Sequence, residues 1–349
     1  MEKPKKLITY KGSTINTIHY SDLSDKKFEE LREQYYRKPN ISLVKEELHK
    51  IKNASNRNMN ITKYFFRDIM AKVSLDGNPW TIEEVFESKD VLGILYSFIH
   101  VNDKIFPPEV PDIDKIETAL RIGPRVTQKP SNYPMQSVRD ILTKYDINGN
   151  YYDYSCGWGV RLLGSLSTGL NYYGTDPNDL LTPRLRELGE LYKKVNNSEL
   201  VVDIRTHGSE EYIPEWENKI GVAFTSPPYF AYEDYRVGEN QSYKKDETTY
   251  EMWLDNYWKG TVKNVHKYLL NEGAFLVNIQ SYGKYKLQED CKRIAEENGF
   301  YLVETMNLKT TARPTINNNE ELTADEDIMV FAKTGYTLKS LETFEEDEW

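Results

Sequence analysis

Apolar and polar positions divide the chain into two parts that differ in period. Up to about residue 125, apolar side chains recur every three or four residues, which is the period of an amphipathic helix. The prolines within 107–111 predict an extended linker after these helices. We therefore expect a mainly helical amino-terminal region, residues 1–125. After a strand-like start at 7–10, the predicted helices are at 25–36, 42–51, 62–73, 81–88 and 90–99.

From residue 126 onward, short apolar runs alternate with helical stretches. Such alternation implies a mostly parallel sheet with helices on both faces. We assign this α/β domain to residues 126–336 and an acidic tail to 337–349. Ligands of open α/β sheets bind beyond the carboxyl ends of strands, so candidate site residues should follow these runs. The runs predict strands at 151–154, 171–175, 200–204, 222–226, 274–279, 301–308 and 327–333.

A glycine turn follows the first of these strands and leads into a helix. Glycines let the backbone approach a ligand, and the helix start presents free N–H groups. Asp176 ends the second strand, 17 residues after Gly159, where a carboxylate can accept both hydroxyls of a ribose. This spacing predicts an adenosine-containing cofactor. The loop residues expected against it are Asp153, Ser155, Cys156, Gly157 and Gly159.

Departures from the dinucleotide fingerprint indicate which cofactor this is. That fingerprint has a third glycine where this chain has Leu162. Asp153 precedes the glycines, and its carboxylate would repel a pyrophosphate but suit the ammonium group of an amino-acid moiety. The loop therefore favours S-adenosylmethionine over a nicotinamide dinucleotide.

The stretch Ser226-Pro227-Pro228-Tyr229 ends the apolar run of the fourth strand. Two prolines fix φ and remove two backbone donors, so the strand cannot continue. The carbonyls before them remain able to accept hydrogen bonds from a ligand. By itself the stretch fits either a proline turn or a binding pocket.

Together, the glycine loop and the Ser-Pro-Pro-Tyr motif resemble those of S-adenosylmethionine-dependent DNA amino-methyltransferases, over about residues 129–334. The resemblance implies a Rossmann-like, seven-stranded, mostly parallel methyltransferase sheet whose last two strands form a hairpin. It also implies that Asn132 and Pro134, ahead of a helix through Leu142, close over the methionine end of the cofactor. Ser209 and Glu210, after the third strand, are expected to contact its adenine.

The resemblance further implies methyl transfer to the exocyclic amine of a flipped DNA base, without a metal ion or a covalent intermediate. The Ser226 side chain and the Pro227 carbonyl would accept from the amine hydrogens. Tyr229 would stack on the base, whose extrusion from the duplex costs a few kcal/mol. Serine at the first motif position favours N4 of cytosine over N6 of adenine. The catalytic candidates are Ser226, Pro227, Pro228 and Tyr229.

The net charge of −10 has the wrong sign for binding phosphates. The total hides an asymmetry, because residues 1–72 carry 16 Lys and Arg against 9 Asp and Glu. The insert after the motif is short, so we expect this basic region to recognise the DNA sequence. Near the acceptor pocket, the side chains expected to contact DNA are Phe230, Arg236, Tyr243, Lys244 and Arg313.

Three other functions share parts of this pattern. An RNA amino-methyltransferase could use the same pocket. A dinucleotide oxidoreductase is disfavoured by the missing third glycine. A non-catalytic nucleic-acid binder would keep the basic region but would have no need for an intact Ser-Pro-Pro-Tyr motif.

Composition argues against several other classes of protein. No stretch approaches the eighteen apolar residues of a membrane span, and no apolar signal core follows Met1, so we expect a soluble cytoplasmic protein. Two cysteines, Cys156 and Cys291, are too few for a disulfide framework or a zinc site. Neither follows a proline, which argues against the Pro-Cys nucleophile of cytosine-C5 methylation.

Overall fold

The amino-terminal part of the chain is helical, as its apolar period predicts. Its helices are α1 (Asp25–Tyr36), α2 (Ile41–His49), α3 (Asn60–Met70), α4 (Ile82–Glu87), α5 (Lys89–Val101) and α6 (Asp112–Ile122). A hairpin of β1 (Lys6–Tyr10) and β2 (Ser13–Thr17) precedes them, and the short β3 (Ser74–Leu75) follows α3. The computed structural model describes residues 6–18, 23–51, 60–75, 78–124, 126–127, 130, 132–235, 241–244, 247–311 and 323–339.

Side-chain caps define where several of these helices begin. The Ser24 side chain accepts a hydrogen bond from the Lys27 amide at the start of α1. Thr81 and Glu84 form a capping box at the start of α4, in which each side chain accepts from the backbone of the other. Such caps satisfy amides that have no partner within the helix.

The centre of the fold is a seven-stranded sheet of order β10-β11-β9-β7-β4-β5-β6. β4 to β7 and β9 run parallel, and β11 lies antiparallel between β9 and β10. The predicted α/β sheet with a terminal hairpin is confirmed. Its strands are β4 (Asn150–Asp153), β5 (Asn171–Thr175), β6 (Val202–Arg205), β7 (Ile220–Thr225), β9 (Leu269–Asn278), β10 (Phe300–Thr311) and β11 (Thr323–Lys333).

Helices cover the sheet, and a short strand, β8 (Glu233–Asp234), lies outside it and pairs with β3. The run from 250 to 268 is helical, but it changes pitch along its length. It consists of α10 (Tyr250–Met252), a π-helical stretch (Trp253–Trp258) and α11 (Lys259–Tyr268). The other covering helices are α7 (Met135–Tyr145), α8 (Val160–Thr168), α9 (Thr182–Asn196) and α12 (Leu287–Glu297).

The expected domain boundary at residue 125 does not coincide with the boundary between the hydrophobic cores. α2 and α3 pack in the same apolar cluster as α7, α8, α9 and one face of the sheet, through side chains such as Leu48 and Phe66. Arg184 of α9 makes a bidentate ion pair with Asp68 of α3, at 2.5 and 2.9 Å. α1, α4, α5 and α6 share a second core. The second and third helices therefore belong to the layer that covers the sheet.

Among the described residues, no helix has the length and apolar character that a membrane crossing requires.

Candidate active site

The glycine loop joins β4 to α8 at the carboxyl edge of the sheet. Gly157 and Gly159 have φ angles of +57° and +79°, in the region that side chains other than glycine rarely adopt. Gly159 is also in close contact with its surroundings, because a Cβ there would lie 3.0 Å from Phe66 of α3 and 3.0 Å from Leu188 of α9. The loop conformation therefore depends on glycine at this position and on a helix of the amino-terminal region.

Asp153, at the end of β4, is fully buried and already bound by the protein. One carboxylate oxygen accepts from Arg161 Nε at 3.0 Å and from the Tyr172 hydroxyl at 2.9 Å. The other accepts from the Thr225 hydroxyl at 2.8 Å and from the Ser155 amide at 3.4 Å. The expectation that this carboxylate binds a cofactor ammonium needs correction, because Arg161 is its cationic partner.

Ser155 and Cys156 complete the loop. The Ser155 carbonyl accepts a hydrogen bond from Arg161, and its hydroxyl lies 3.3 Å from the hydroxyl of Tyr257. The Cys156 thiol is buried, and its Sγ lies 3.3 Å from the carbonyl oxygen of Thr175. Burial raises the pKa of this thiol well above its usual value, so it is unsuited to act as a nucleophile. Its side chain fills the space beneath the turn.

Asp176 follows β5 directly and lies at the same edge of the sheet as the glycine loop. Its Oδ1 accepts a hydrogen bond from the Asn178 amide at 3.0 Å. Burial raises the pKa of Asp176 to about 6, against the opposing effect of hydrogen bonds from the backbone of Asn178 and Gly157. A carboxylate in this position can accept hydrogen bonds from the hydroxyls of a sugar.

The two residues predicted to contact adenine differ in the hydrogen bonds that their side chains already make within the protein. Ser209 is buried, its hydroxyl lies 2.6 Å from that of Thr261, and its carbonyl accepts from Asn264 at 3.0 Å. In the described part of the chain, Oε2 of Glu210 is buried without a hydrogen-bond partner. Burial raises the pKa of Glu210. Glu210 therefore retains an acceptor for a ligand, while Ser209 is engaged within the protein.

The segment from Asn132 to Pro134 joins α3 to the sheet. The Asn132 side chain donates to the Thr62 hydroxyl at 3.1 Å, and Pro134 directly precedes α7. The ring of Tyr133 packs edge-on against Phe224 of β7, with centroids 5.6 Å apart. The segment thus contacts both the helical layer and the strand that carries the proline motif.

The Ser-Pro-Pro-Tyr motif begins where β7 ends, at Thr225. The Thr225 hydroxyl donates to Asp153, so the residue before the motif is hydrogen-bonded to the residue that opens the glycine loop. Tyr229 is half-buried, and its hydroxyl lies 3.5 Å from the carbonyl oxygen of Asn278 on the neighbouring β9. The acceptor motif and the candidate cofactor loop therefore lie side by side.

Phe230 has a φ of +47°, which is rare for a residue with a side chain. The side chain is 3% exposed, and the rings of Tyr243 and Tyr285 both lie 5.0 Å from it. The ring of Tyr250 is 5.4 Å away. Phe230 is thus mainly a core residue, and only its edge borders the cavity beside it.

This cavity has a volume of about 620 Å³ and lies next to the motif. Phe230 and Tyr243, two of the side chains expected to contact DNA, line it together with Tyr250, Lys284 and Tyr285. Aromatic walls beside an exposed lysine are the features that bind nucleobases and phosphate. Glu247 and Glu251 also line the cavity, so a phosphate group there would lie near two carboxylates as well as the lysine.

The other side chains expected to contact DNA are not brought together. Lys244 is half-buried beside the cavity, and its amide donates to the Thr248 hydroxyl at 3.1 Å. Arg236 and Arg313 lie outside the described residues. In the basic amino-terminal region, Lys63 and Arg67 both form ion pairs with Glu117, at 2.7 and 2.8 Å, so one carboxylate offsets one of their two positive charges.

A strap over the glycine loop was not predicted from the sequence. We use this name for residues 233–235, in which β8 pairs with β3 and Tyr235 follows. The Tyr235 ring lies 6.2 Å from that of Trp158 in the loop. The pairing joins positions about 160 residues apart, and the aromatic residues after the motif were the only local signal.

No protein family model and no curated protein matches the chain. Among solved structures, a Burkholderia thailandensis 1,6-didemethyltoxoflavin-N1-methyltransferase with bound S-adenosylhomocysteine is 13% identical, with a TM-score of 0.38 over 57% of this chain and 78% of its own. A putative rRNA methylase from Clostridium thermocellum is also 13% identical, with a TM-score of 0.37 over 57% and 96%. The magnesium protoporphyrin IX methyltransferase of Synechocystis is 11% identical, with a TM-score of 0.37 over 57% and 79%. Similarity this low decides nothing about activity.

Proposed function

We propose that this protein is an S-adenosylmethionine-dependent methyltransferase that modifies the exocyclic amine of a flipped DNA base. The observation that carries the proposal is the hydrogen bond from Thr225 to Asp153. It joins the carboxyl ends of two neighbouring strands, one followed by the glycine loop and the other by the Ser-Pro-Pro-Tyr motif. A cofactor on the loop would thus present its reactive group beside the motif.

The donors and acceptors at this edge of the sheet support the cofactor. The Asp176 carboxylate would accept from the ribose hydroxyls, and the free oxygen of Glu210 would accept from an adenine amine. When bound, the cofactor would supply the methyl group of its sulfonium sulfur. Transfer would exchange a carbon–sulfur bond for a carbon–nitrogen bond, leave S-adenosylhomocysteine and pass one amine proton to water.

The motif would bind and orient the acceptor. A conjugated amine is a weak nucleophile because its lone pair is delocalised into the ring. The Ser226 hydroxyl and the Pro227 carbonyl would accept from its hydrogens, which localises the lone pair and directs it at the methyl group. Tyr229 would stack on the base, and the adjacent aromatic cavity with Lys284 would contact the DNA strand.

Serine at the head of the motif favours cytosine N4 as the acceptor. Its single hydroxyl is a weaker hydrogen-bond acceptor than the carboxylate or amide oxygen that an aspartate or asparagine would offer. Adenine N6 is the alternative acceptor for the same pocket.

Two substitutions separate chemistry from cofactor binding. Ser226→Ala and Tyr229→Ala should keep the affinity for S-adenosylhomocysteine within about twofold, measured by calorimetry, because the proposed cofactor contacts are made by other residues, such as Asp176 and Glu210. Loss of the Ser226 hydrogen bond in the transition state should lower methyl incorporation into DNA by about 10²-fold or more. Loss of the Tyr229 stacking contact, about 1–3 kcal/mol, should lower it by about 5- to 150-fold. Tyr232→Phe, which alters a nearby tyrosine, is the matched control. Undiminished methylation in both motif variants would refute the acceptor assignment.

A further inference from the structure

The strap of residues 233–235 holds a carboxylate against the candidate cofactor site. β8 pairs with β3 through Ser74 with Asp234 and Leu75 with Glu233, which fixes the backbone of the strap. Tyr235 then contacts Trp158, which lies between the two glycines of the loop. The Tyr235 hydroxyl donates to Glu233 Oε2 at 2.6 Å. A short hydrogen bond therefore positions the Glu233 carboxylate near the loop.

Glu233 has no cationic partner in the part of the chain that the structure describes. Among those residues, no Lys, Arg or His nitrogen lies within 4.0 Å of it, and Tyr235 is its side-chain hydrogen-bond partner. Burial raises its pKa, against the opposing effect of that hydrogen bond. The pKa of Tyr235 is also raised by burial, then by Glu233, and further by the charge of Asp176. Tyr235 thus lies close enough to both Glu233 and Asp176 to respond to their charges, and the charge of Arg161 opposes them.

The carboxylates around the candidate cofactor site differ in the groups that are already assigned to them. Asp153 is occupied by Arg161, while Asp176 and Glu210 are accounted for by the ribose and adenine of the proposed cofactor. A partly buried carboxylate without a cation is costly and gains from an incoming positive charge. The methionine part of S-adenosylmethionine carries such a charge on its ammonium group.

We propose that Glu233 binds the ammonium group of the cofactor's methionine part and that Tyr235 orients the carboxylate. The inference rests on the proposed function, since it assumes the same cofactor. It assigns to the strap the role that the sequence had suggested for Asp153, and it makes the β3–β8 pairing part of the cofactor site.

Two ligands that differ in the methionine part test the proposal. S-adenosylhomocysteine carries the ammonium group, whereas 5′-methylthioadenosine has the same adenine and ribose without it. Calorimetric titration of Glu233→Gln should show an affinity for S-adenosylhomocysteine about tenfold or more below wild type, with 5′-methylthioadenosine within about twofold. Tyr235→Phe should show a smaller loss for S-adenosylhomocysteine only. Glu247→Gln, a substitution in the exposed rim of the cavity, should change neither affinity.

The outcomes distinguish this inference from the proposed function. Equal losses for both ligands in Glu233→Gln, or no loss for either, would overturn the ammonium assignment and leave the cofactor in place. A wild-type protein that binds neither ligand would overturn the cofactor and this inference together. If Glu233→Gln fails to fold, Glu233→Asp replaces it, because aspartate keeps the charge on a shorter side chain. Weaker binding of S-adenosylhomocysteine but not of 5′-methylthioadenosine in Glu233→Asp supports the proposal. An unchanged ratio of the two affinities counts against it.

Discussion

Replacing Asp153 with asparagine should destabilise the fold before it affects chemistry. The carboxylate is fully buried, and the side chain of its partner Arg161 is 10% exposed. The substitution leaves a buried guanidinium without a counter-charge, which typically costs about 3–5 kcal/mol. An asparagine also brings an N–H₂ group toward hydroxyls that now donate to the carboxylate, those of Tyr172 and Thr225. We expect the free energy of unfolding to fall by about 3 kcal/mol, the low end of this range.

Urea unfolding followed by tryptophan fluorescence measures this loss. Thr225→Val is the matched control, because it removes one neutral donor to the same carboxylate and should cost less, about 1.5–2 kcal/mol. The double variant Asp153→Asn with Arg161→Met removes both charges. It should therefore recover part of the stability lost in the single variant, with a coupling energy of up to about 3 kcal/mol.

A different result would restore the role first predicted for Asp153. If Asp153→Asn unfolded at the wild-type urea concentration but lost affinity for S-adenosylhomocysteine and not for 5′-methylthioadenosine, the carboxylate would be the ligand of the ammonium group. The pairing with Arg161 would then be unimportant for stability, and the assignment of Glu233 would fall.

Two further predictions concern the loop and the ribose carboxylate. Gly159→Ala introduces left-handed strain of about 1–2 kcal/mol and a Cβ that crowds Phe66 and Leu188. Its melting temperature should therefore fall below that of the control Gly169→Ala, whose φ is +87° but whose Cβ would have no neighbour within 4 Å. Equal losses of melting temperature in the two variants would contradict the packing argument. Folding raises the pKa of Asp176 from 3.8 to about 6, so this carboxyl stabilises the fold at acid pH and loses that contribution as pH rises through about 6. Ribose binding by Asp176 requires its ionised form, so S-adenosylhomocysteine affinity should fall more steeply below pH 6 in wild type than in Asp176→Asn, where only the other site carboxylates titrate. The same pH profile in both proteins would contradict this.

The elements with a clear apolar period were predictable from the sequence. α1 begins and ends where predicted, at Asp25 and Tyr36, and β5 likewise occupies 171–175. The predicted linker at 107–111 hid α6, because Pro111 directly precedes the helix and proline is tolerated there. β2 was missed because the turn at Lys11 and Gly12 that makes the first hairpin has positive φ at both residues, which the Lys-Gly pair signals only weakly.

The candidate site was predictable in its positions but not in its contacts. The loop, Asp176 and the motif follow strand ends at one edge of the sheet, as expected, because parallel strands end at one edge; their role as a site stays a prediction. The partner of Asp153 could not be inferred, since it depends on how α8 directs Arg161 back toward β4. The strap at Glu233 depends on a pairing across the chain that no local pattern specifies.

Mass spectrometry of DNA nucleosides tests whether the protein transfers a methyl group to a DNA amine. Genomic DNA from a strain without its own methyltransferases should be incubated with the protein and S-adenosylmethionine carrying a deuterated methyl group, with total RNA as a parallel substrate. We expect deuterium-labelled N4-methyldeoxycytidine in the DNA digest, and about 10²-fold less of it with Ser226→Ala. Label in N6-methyldeoxyadenosine would change the base and keep the mechanism. Label in RNA alone, or in neither nucleic acid, would contradict the account.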